Sequence, residues 1–293
     1  MNRPPSRSRS LPRAAALLTV LALAAALAAC GSSDGSSAGG SETTTTTEAP
    51  TTTTSLPPGG RQPTPEDPLR VIFAGDSLMS NLAPATVAAL NGGGAADARF
   101  VLSPSVARDP TVQVLWQAQI DEFDPDVIVV LIGTWENAAE GGTPGDPGWR
   151  ESYEPNVVDP FVQLLTSGGA DVIWIGMPAV VDPVKTWDYV ALNQVYADLP
   201  NRFPGQVQFV DGGAAVSSPE GGYVEVIPIP GGGEIRLRRT DGTHLCPDGV
   251  VLIARPTLRT IVQDWNVPLL ASWETSPWRL PENVEKAYEC PGI

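Results

Sequence analysis

The chain contains one histidine, His244, so imidazole chemistry near neutral pH has to run through it. Asp241 stands three residues earlier, a spacing that in a turn or a first helical turn lets a carboxylate approach the ring. A carboxylate on one ring nitrogen fixes the tautomer and leaves the other nitrogen facing a nucleophile. The candidate nucleophile is Ser77, in the run Ala74-Gly75-Asp76-Ser77-Leu78. It follows an apolar strand-like stretch and precedes a helical pattern that starts near Asn81. That places it near a helix N-terminus, where the dipole favours developing negative charge. Its own backbone N–H can then donate to an oxyanion. Each residue also has a plainer reading, Ser77 as an N-cap and His244 as an ordinary surface or core residue. The pairing of the two segments, AGDSL and DGTHL, shifts the balance from the plainer reading toward an activated serine.

Elements that would position these groups are visible in the apolar patterning. Leu69 to Ala74, Arg99 to Leu102, Asp126 to Ile132 and Asp171 to Met177 are short apolar or β-branched runs, with a weaker candidate at Gln206 to Val210. Continuous runs of this kind suit strands buried on both faces. Between them, Asn81 to Leu90, Val112 to Phe123, Pro155 to Ser167, Val184 to Leu199 and Pro247 to Gln263 have helical spacing. The alternation predicts a parallel sheet covered by helices on both faces. In such a sheet the ligand site lies beyond the carboxyl ends of the strands, where Ser77, Ser103-Pro104-Ser105, Gly133 to Asn137 and Pro178-Ala179 fall. A sheet-edge hairpin from Tyr223 to Arg238, around Gly231-Gly232-Gly233, leads into Asp241 to His244.

Gly75-Asp76-Ser77-Leu78 and Asp241-Gly242-Thr243-His244 resemble the first and last sequence blocks of the GDSL/SGNH hydrolases, at the ends of a domain of suitable length. The resemblance covers about two-thirds of the chain. It implies a three-layer α/β/α, flavodoxin-like fold with a central parallel five-stranded sheet. Ser77 would be the nucleophile, His244 the base and Asp241 its orienting partner, with no cofactor and no metal.

The middle blocks depart from that pattern. After the second strand the chain reads Ser103-Pro104-Ser105-Val106-Ala107, without the glycine whose N–H usually faces the oxyanion. The third block, usually Gly-x-Asn-Asp, is Gly133-Thr134-Trp135-Glu136-Asn137. Ungapped, Trp135 takes the place of the oxyanion asparagine; with a shift of one residue, Asn137 takes it, and Asn137 is the preferred candidate. The GTWE form also resembles a variant of SGNH domains associated with membrane acyltransferases of bacterial envelopes. Glu136 and Glu140 raise glycosidase or metal chemistry, which a single histidine and the lack of a clustered acidic motif disfavour. Trp135, Trp149, Trp174 and Trp187 are candidates for stacking on sugar rings as well as for core packing.

Flanking segments bear on location. Arg3, Arg7, Arg9 and Arg13 precede an apolar run, Ala14 to Ala29, that is short for a membrane span, and Leu27-Ala28-Ala29-Cys30-Gly31 resembles a bacterial lipobox. Residues 1–30 therefore read as a lipoprotein signal peptide with Cys30 as the lipidated N-terminus, and the protein as extracytoplasmic and anchored to the cell membrane by that lipid alone. Residues 31–68, rich in Ser, Thr, Gly and Pro, read as a disordered spacer, 69–264 as the SGNH-like domain and 265–293 as a tail packed on it. With Cys30 lipidated, Cys246 and Cys290 are left as a pair expected to form a disulfide. The leader holds four of the 18 basic residues and none of the 33 acidic ones, so the remainder is more acidic still than the −15 of the whole chain. That balance argues against nucleic acid as a partner.

Together these readings predict a serine esterase or O-acyltransferase outside the cytoplasm, acting through an acyl-serine on an acylated envelope or extracellular carbohydrate, or a small ester. The rival reading is a non-catalytic binding or scaffold lipoprotein that keeps the fold without a working oxyanion hole.

Overall fold

The structure, a computed structural model, describes residues 61–102, 109–136 and 142–291. The lipobox cysteine Cys30, the signal peptide and most of the spacer lie outside the described residues, as do Ser103, Pro104, Ser105, Asn137 and Glu140.

Five strands, β1 (Leu69–Gly75), β2 (Ala96–Leu102), β3 (Val127–Leu131), β4 (Asp171–Ile175) and β5 (Val207–Val210), form one sheet in the order β2-β1-β3-β4-β5. Every pairing is parallel. All five residues of β3 are buried, as are six of seven in β1. Burial on both faces explains why these strands are written as unbroken apolar runs rather than as alternations. The two edge strands differ: β2 is partly exposed and carries Asp97 and Arg99, charges that discourage edge-to-edge association, and β5 exposes Gln208.

Helices α1 (Ser77–Asn91), α2 (Pro110–Phe123), α3 (Trp149–Tyr153), α4 (Asp159–Leu165), α5 (Pro183–Ala197), α6 (Leu199–Arg202) and α7 (Pro247–Trp265) connect and cover the strands. α1 packs against α7, and α2 against α4. The result is the expected three-layer α/β/α architecture, with the apolar core between sheet and helices. No helix among the described residues is long and apolar enough to cross a membrane.

Local chemistry adjusts four of the expected boundaries. α1 begins at Ser77, four residues before Asn81, because the Asp76 side chain caps it by accepting the N–H of Leu78. The helix expected from Pro155 starts earlier, at Trp149, and passes through a π-turn at Glu154–Val158 before α4. Pro155 and Pro160 both lack an N–H, and the ladder widens between them. The glycine-rich hairpin forms, as β6 (Val226–Pro228) and β7 (Glu234–Arg236), but it is a separate antiparallel pair rather than an edge of the main sheet. Residues 61–68, read from composition as the end of the spacer, are fastened to the domain. Arg61 reaches Asp126 at 2.6 Å and donates to the carbonyl of Pro68, and Gln62 donates to the carbonyl of Asn266.

Beyond α7 the chain runs over the surface in short 3₁₀ turns, as a tail packed on the domain. Trp273 and Trp278 bury there, and the Trp278 indole donates to the carbonyl of Trp273. The expected disulfide joins Cys246 to Cys290, both buried.

Candidate active site

Ser77 reaches its position through a close approach of β1 and β3. A Cβ on Gly75 would lie 2.0 Å from the carbonyl oxygen of Leu131, so only glycine lets the strands meet there. Asp76 follows, and its carboxylate takes three backbone donors. Oδ1 accepts Leu78 N–H at 2.9 Å, while Oδ2 accepts Gly133 N–H at 3.2 Å and Thr134 N–H at 3.0 Å. One buried side chain thus starts the helix that bears Ser77 and fixes the loop that leaves β3. Burial pushes the Asp76 carboxyl above its ordinary value, and the three N–H donors oppose that rise. Ser77 is the first residue of α1, where its N–H has no intrahelical acceptor.

Asp241 and His244 sit on a turn closed at its base. Arg239 N–H donates to His244 O at 2.9 Å, and Cys246 N–H to Leu237 O at 2.9 Å. Gly242 has φ +69°, the left-handed region that the reversal requires, and a side chain there would also strike Val181. The turn is tied to the domain on several sides. Leu245 N–H donates to Asn81 Oδ1 at 3.0 Å, one helical turn beyond Ser77. Val181 N–H donates to Gly242 O at 3.0 Å, and Thr240 N–H to Glu289 O at 3.1 Å in the tail.

These constraints assemble the three residues. His244 Nε2 lies 2.8 Å from Ser77 Oγ, and His244 Nδ1 lies 2.7 Å from Asp241 Oδ2. The second carboxylate oxygen, Oδ1, accepts the N–H of Thr243 at 2.8 Å and of His244 at 2.9 Å. Partial burial raises the Asp241 carboxyl, but those N–H groups and the ring outweigh it and hold the group below the usual carboxylate value. An ionised Asp241 keeps the proton on Nδ1, which leaves Nε2 to accept the hydroxyl proton of Ser77. Asp241, His244 and Ser77 can therefore activate the serine as a nucleophile.

The third block divides into parts with different roles. Thr134 is buried and Trp135 is 56% exposed, its ring at the surface. Glu136 is fully buried: its Oε2 accepts from Tyr153 OH at 2.8 Å, and Tyr153 OH lies 3.2 Å from Tyr196 OH. Its carboxylate is thus enclosed by the two tyrosines as an internal anchor for the loop, and Glu140 lies outside the described residues. Asn137, the proposed oxyanion donor, lies outside the described residues. The N–H groups of Gly133 and Thr134 are committed to Asp76. Of the other tryptophans named as sugar-stacking candidates, Trp149 and Trp174 belong to the core, and Trp187 is 68% exposed on α5.

A parallel sheet in this order between two helical layers, with a serine after β1 and an Asp-x-x-His turn before the last helix, is a three-layer α/β/α SGNH-like fold. A family model described as "Protein of unknown function (DUF459)" matches residues 70–260, and the chain belongs to that family. No curated protein sequence matches the chain. Among solved structures, the chain is similar to a GDSL-like lipase from Bacteroides thetaiotaomicron (15% identity, TM-score 0.45, covering 69% of this chain and 92% of that one). It is also similar to a family 3 carbohydrate esterase from Clostridium thermocellum (13% identity, TM-score 0.45, 68% and 97%). A third is the C-terminal catalytic domain of the peptidoglycan O-acetyltransferase A from Streptococcus pneumoniae (17% identity, TM-score 0.42, 69% and 97%).

Sequence reasoning missed three contributors to this site: the bridging carboxylate of Asp76, the Asn81 amide that holds Leu245, and Arg238 beneath the turn. Asp76 had a signal in its position before a helix start, where Asp is a strong cap. Nothing in the local sequence marks the other two, because their partners lie far along the chain.

Proposed function

We propose that the domain is a serine esterase or O-acyltransferase that takes an acyl group from an oxygen ester onto Ser77 and passes it to water or to a sugar hydroxyl. The observation that carries the reading is the continuous pair of hydrogen bonds from Ser77 Oγ to His244 Nε2, and from His244 Nδ1 to Asp241. In the first half-reaction Ser77 Oγ attacks the ester carbonyl while His244 takes its proton; the tetrahedral adduct collapses as the imidazolium returns that proton to the departing alkoxide. In the second, His244 takes a proton from water or from an acceptor hydroxyl as that oxygen attacks the acyl-serine, and then returns it to Ser77. Ser77 N–H and the α1 N-terminus face the developing oxyanion, with Asn137 as the further donor in this reading.

The substrate class we favour is an acylated carbohydrate of the cell envelope or its surroundings. Trp135, one residue beyond the peptide that Asp76 holds beside Ser77, presents an exposed indole, and Trp187 presents another on α5. The acidic composition favours a substrate without strong negative charge. An extracytoplasmic lipoprotein anchored through Cys30 agrees with the signal-like leader and with a buried disulfide, a bond that persists in oxidising compartments. The GTWE third block supports the transferase branch of this reading.

The test is labelling of the purified protein with a fluorophosphonate probe, beside Ser77→Ala and His244→Ala, followed by turnover of p-nitrophenyl acetate. Labelling lost in both variants is the expected result. A folded wild-type protein that takes no label overturns the proposal and leaves the non-catalytic binding role.

A further inference from the structure

Arg238 is fully buried, and the hydrogen bonds of its guanidinium among the described residues all go to backbone carbonyls rather than to a carboxylate. A buried cation outside a direct ion pair is costly: the Asp241 charge favours it at longer range, but hydrogen bonds have to replace its hydration. Here backbone carbonyls from three separate segments do so for the two terminal nitrogens, while among the described residues Nε has no hydrogen-bond partner. Nη2 donates to Ala179 O at 2.8 Å, just after β4, and to Val216 O at 3.2 Å, at the end of the 3₁₀ turn that follows β5. Nη1 points to Thr243 O at a longer 3.4 Å. The ring of Tyr223 lies 5.9 Å from the guanidinium carbon. Burial pulls the group down to about 10, so it stays charged at neutral pH.

Thr243 O belongs to the peptide unit whose N–H is that of His244. Arg238 holds the oxygen end of this unit, while Asp241 Oδ1 accepts its N–H end at 2.9 Å. Rotation of that single peptide plane would move the His244 ring away from Ser77 and break a bond to Asp241 at the same time. The Arg238 backbone braces the same turn from its base, in an isolated antiparallel bridge to Leu245. A side chain needed only to fill this space could be apolar; convergence of three carbonyls calls for a planar, multi-donor cation.

We propose that Arg238 is a positioning residue for the active site, fixing the Thr243–His244 peptide plane so that the imidazole spans Ser77 and Asp241. The activity part of this inference rests on the esterase reading, whereas the positioning part does not. Because His244 is the only histidine in the chain, its ring signals are unambiguous in nuclear magnetic resonance spectra of the full protein.

The experiment compares wild type, Arg238→Lys and Arg238→Met for the resonance of the His244 Nδ1 proton, for the rate of fluorophosphonate labelling, and for far-ultraviolet circular dichroism. Arg238→Lys keeps the charge but has one nitrogen in place of the fork. It should fold, lose or displace the Nδ1 proton resonance, and label at least about tenfold more slowly. A lysine variant that keeps the wild-type resonance and labels within about twofold of wild type overturns the inference, even if its melting temperature falls. Should Arg238→Met fail to fold, the lysine variant decides. Should the wild type take no label while Arg238→Lys still displaces the resonance, the positioning role stands and the esterase reading falls.

Discussion

The carboxylate of Asp76 accepts the N–H of Thr134 across 58 residues of sequence, so the first turn of the helix bearing Ser77 and the loop beyond β3 move as one body. Asp76→Asn preserves the shape but replaces one acceptor oxygen with a donor, leaving at least one of the three N–H groups unsatisfied in a buried place. The expected cost is about 1–3 kcal/mol in urea denaturation, together with slower labelling of Ser77. Because burial raises the Asp76 carboxyl, ionising it costs stability as pH climbs from the ordinary value of 3.8 through the folded one. The amide variant should lack that decline.

Asp241 should behave in the opposite sense. Its carboxyl is held below 3.8 in the folded protein, so its contribution is fully present above that pH and is lost as pH falls through the lower, folded value. Asp241→Asn should flatten that acid limb in a series of melting curves. The same variant loses control of the His244 tautomer and should reduce ester turnover by roughly 10³ to 10⁴.

Gly242→Ala tests the turn itself. The added methyl meets Val181 and the backbone stands at φ +69°, so the strain falls on the segment that carries Asp241 and His244. We expect turnover to fall by at least about tenfold, with far-ultraviolet circular dichroism unchanged.

Removing the disulfide reaches both the tail and the turn, because Cys246 lies two residues beyond His244 and Glu289, beside Cys290, accepts from Thr240. On the chain-entropy model a bridge with a sequence separation of 44 contributes about 4 kcal/mol. The double variant Cys246→Ser and Cys290→Ser should therefore melt roughly 8–16 °C lower, measured by calorimetry.

Trp135→Ala and Trp187→Ala truncate exposed rings and should leave the melting temperature unchanged. Turnover of p-nitrophenyl acetate should stay within about twofold, while KM for an acetylated xylo-oligosaccharide should rise by about tenfold. Equal KM values for the oligosaccharide in wild type and both variants would remove the tryptophans from the substrate site.

Much of this architecture was legible because a parallel sheet buried on both faces leaves little choice of residue: Asp126 to Ile132 and Asp171 to Met177 are apolar for that reason. The Ser77, Asp241 and His244 group was legible because a single histidine has no competitor and the spacing to Asp241 is local. Glu136 was misleading, since the sequence shows a carboxylate in a strand-end loop and gives no sign that Tyr153 and Tyr196 will enclose it. The hairpin at Gly231 to Gly233 was visible from its turn residues, but a turn does not say which sheet a hairpin joins. Arg238 carries no local signal of its role, because its burial depends on three carbonyls contributed by distant segments.

Arg61 grips Asp126 immediately ahead of β3, and the chain then enters β1 at Leu69, so residues 61–68 are fastened at the amino edge of the sheet. Ser77 lies past the other end of β1, a seven-residue strand of roughly 23 Å. The segment that leads into β1 and the Ser77 hydroxyl therefore lie at opposite ends of that strand, so a load carried by Arg61 and Asp126 falls on the end of the domain away from Ser77.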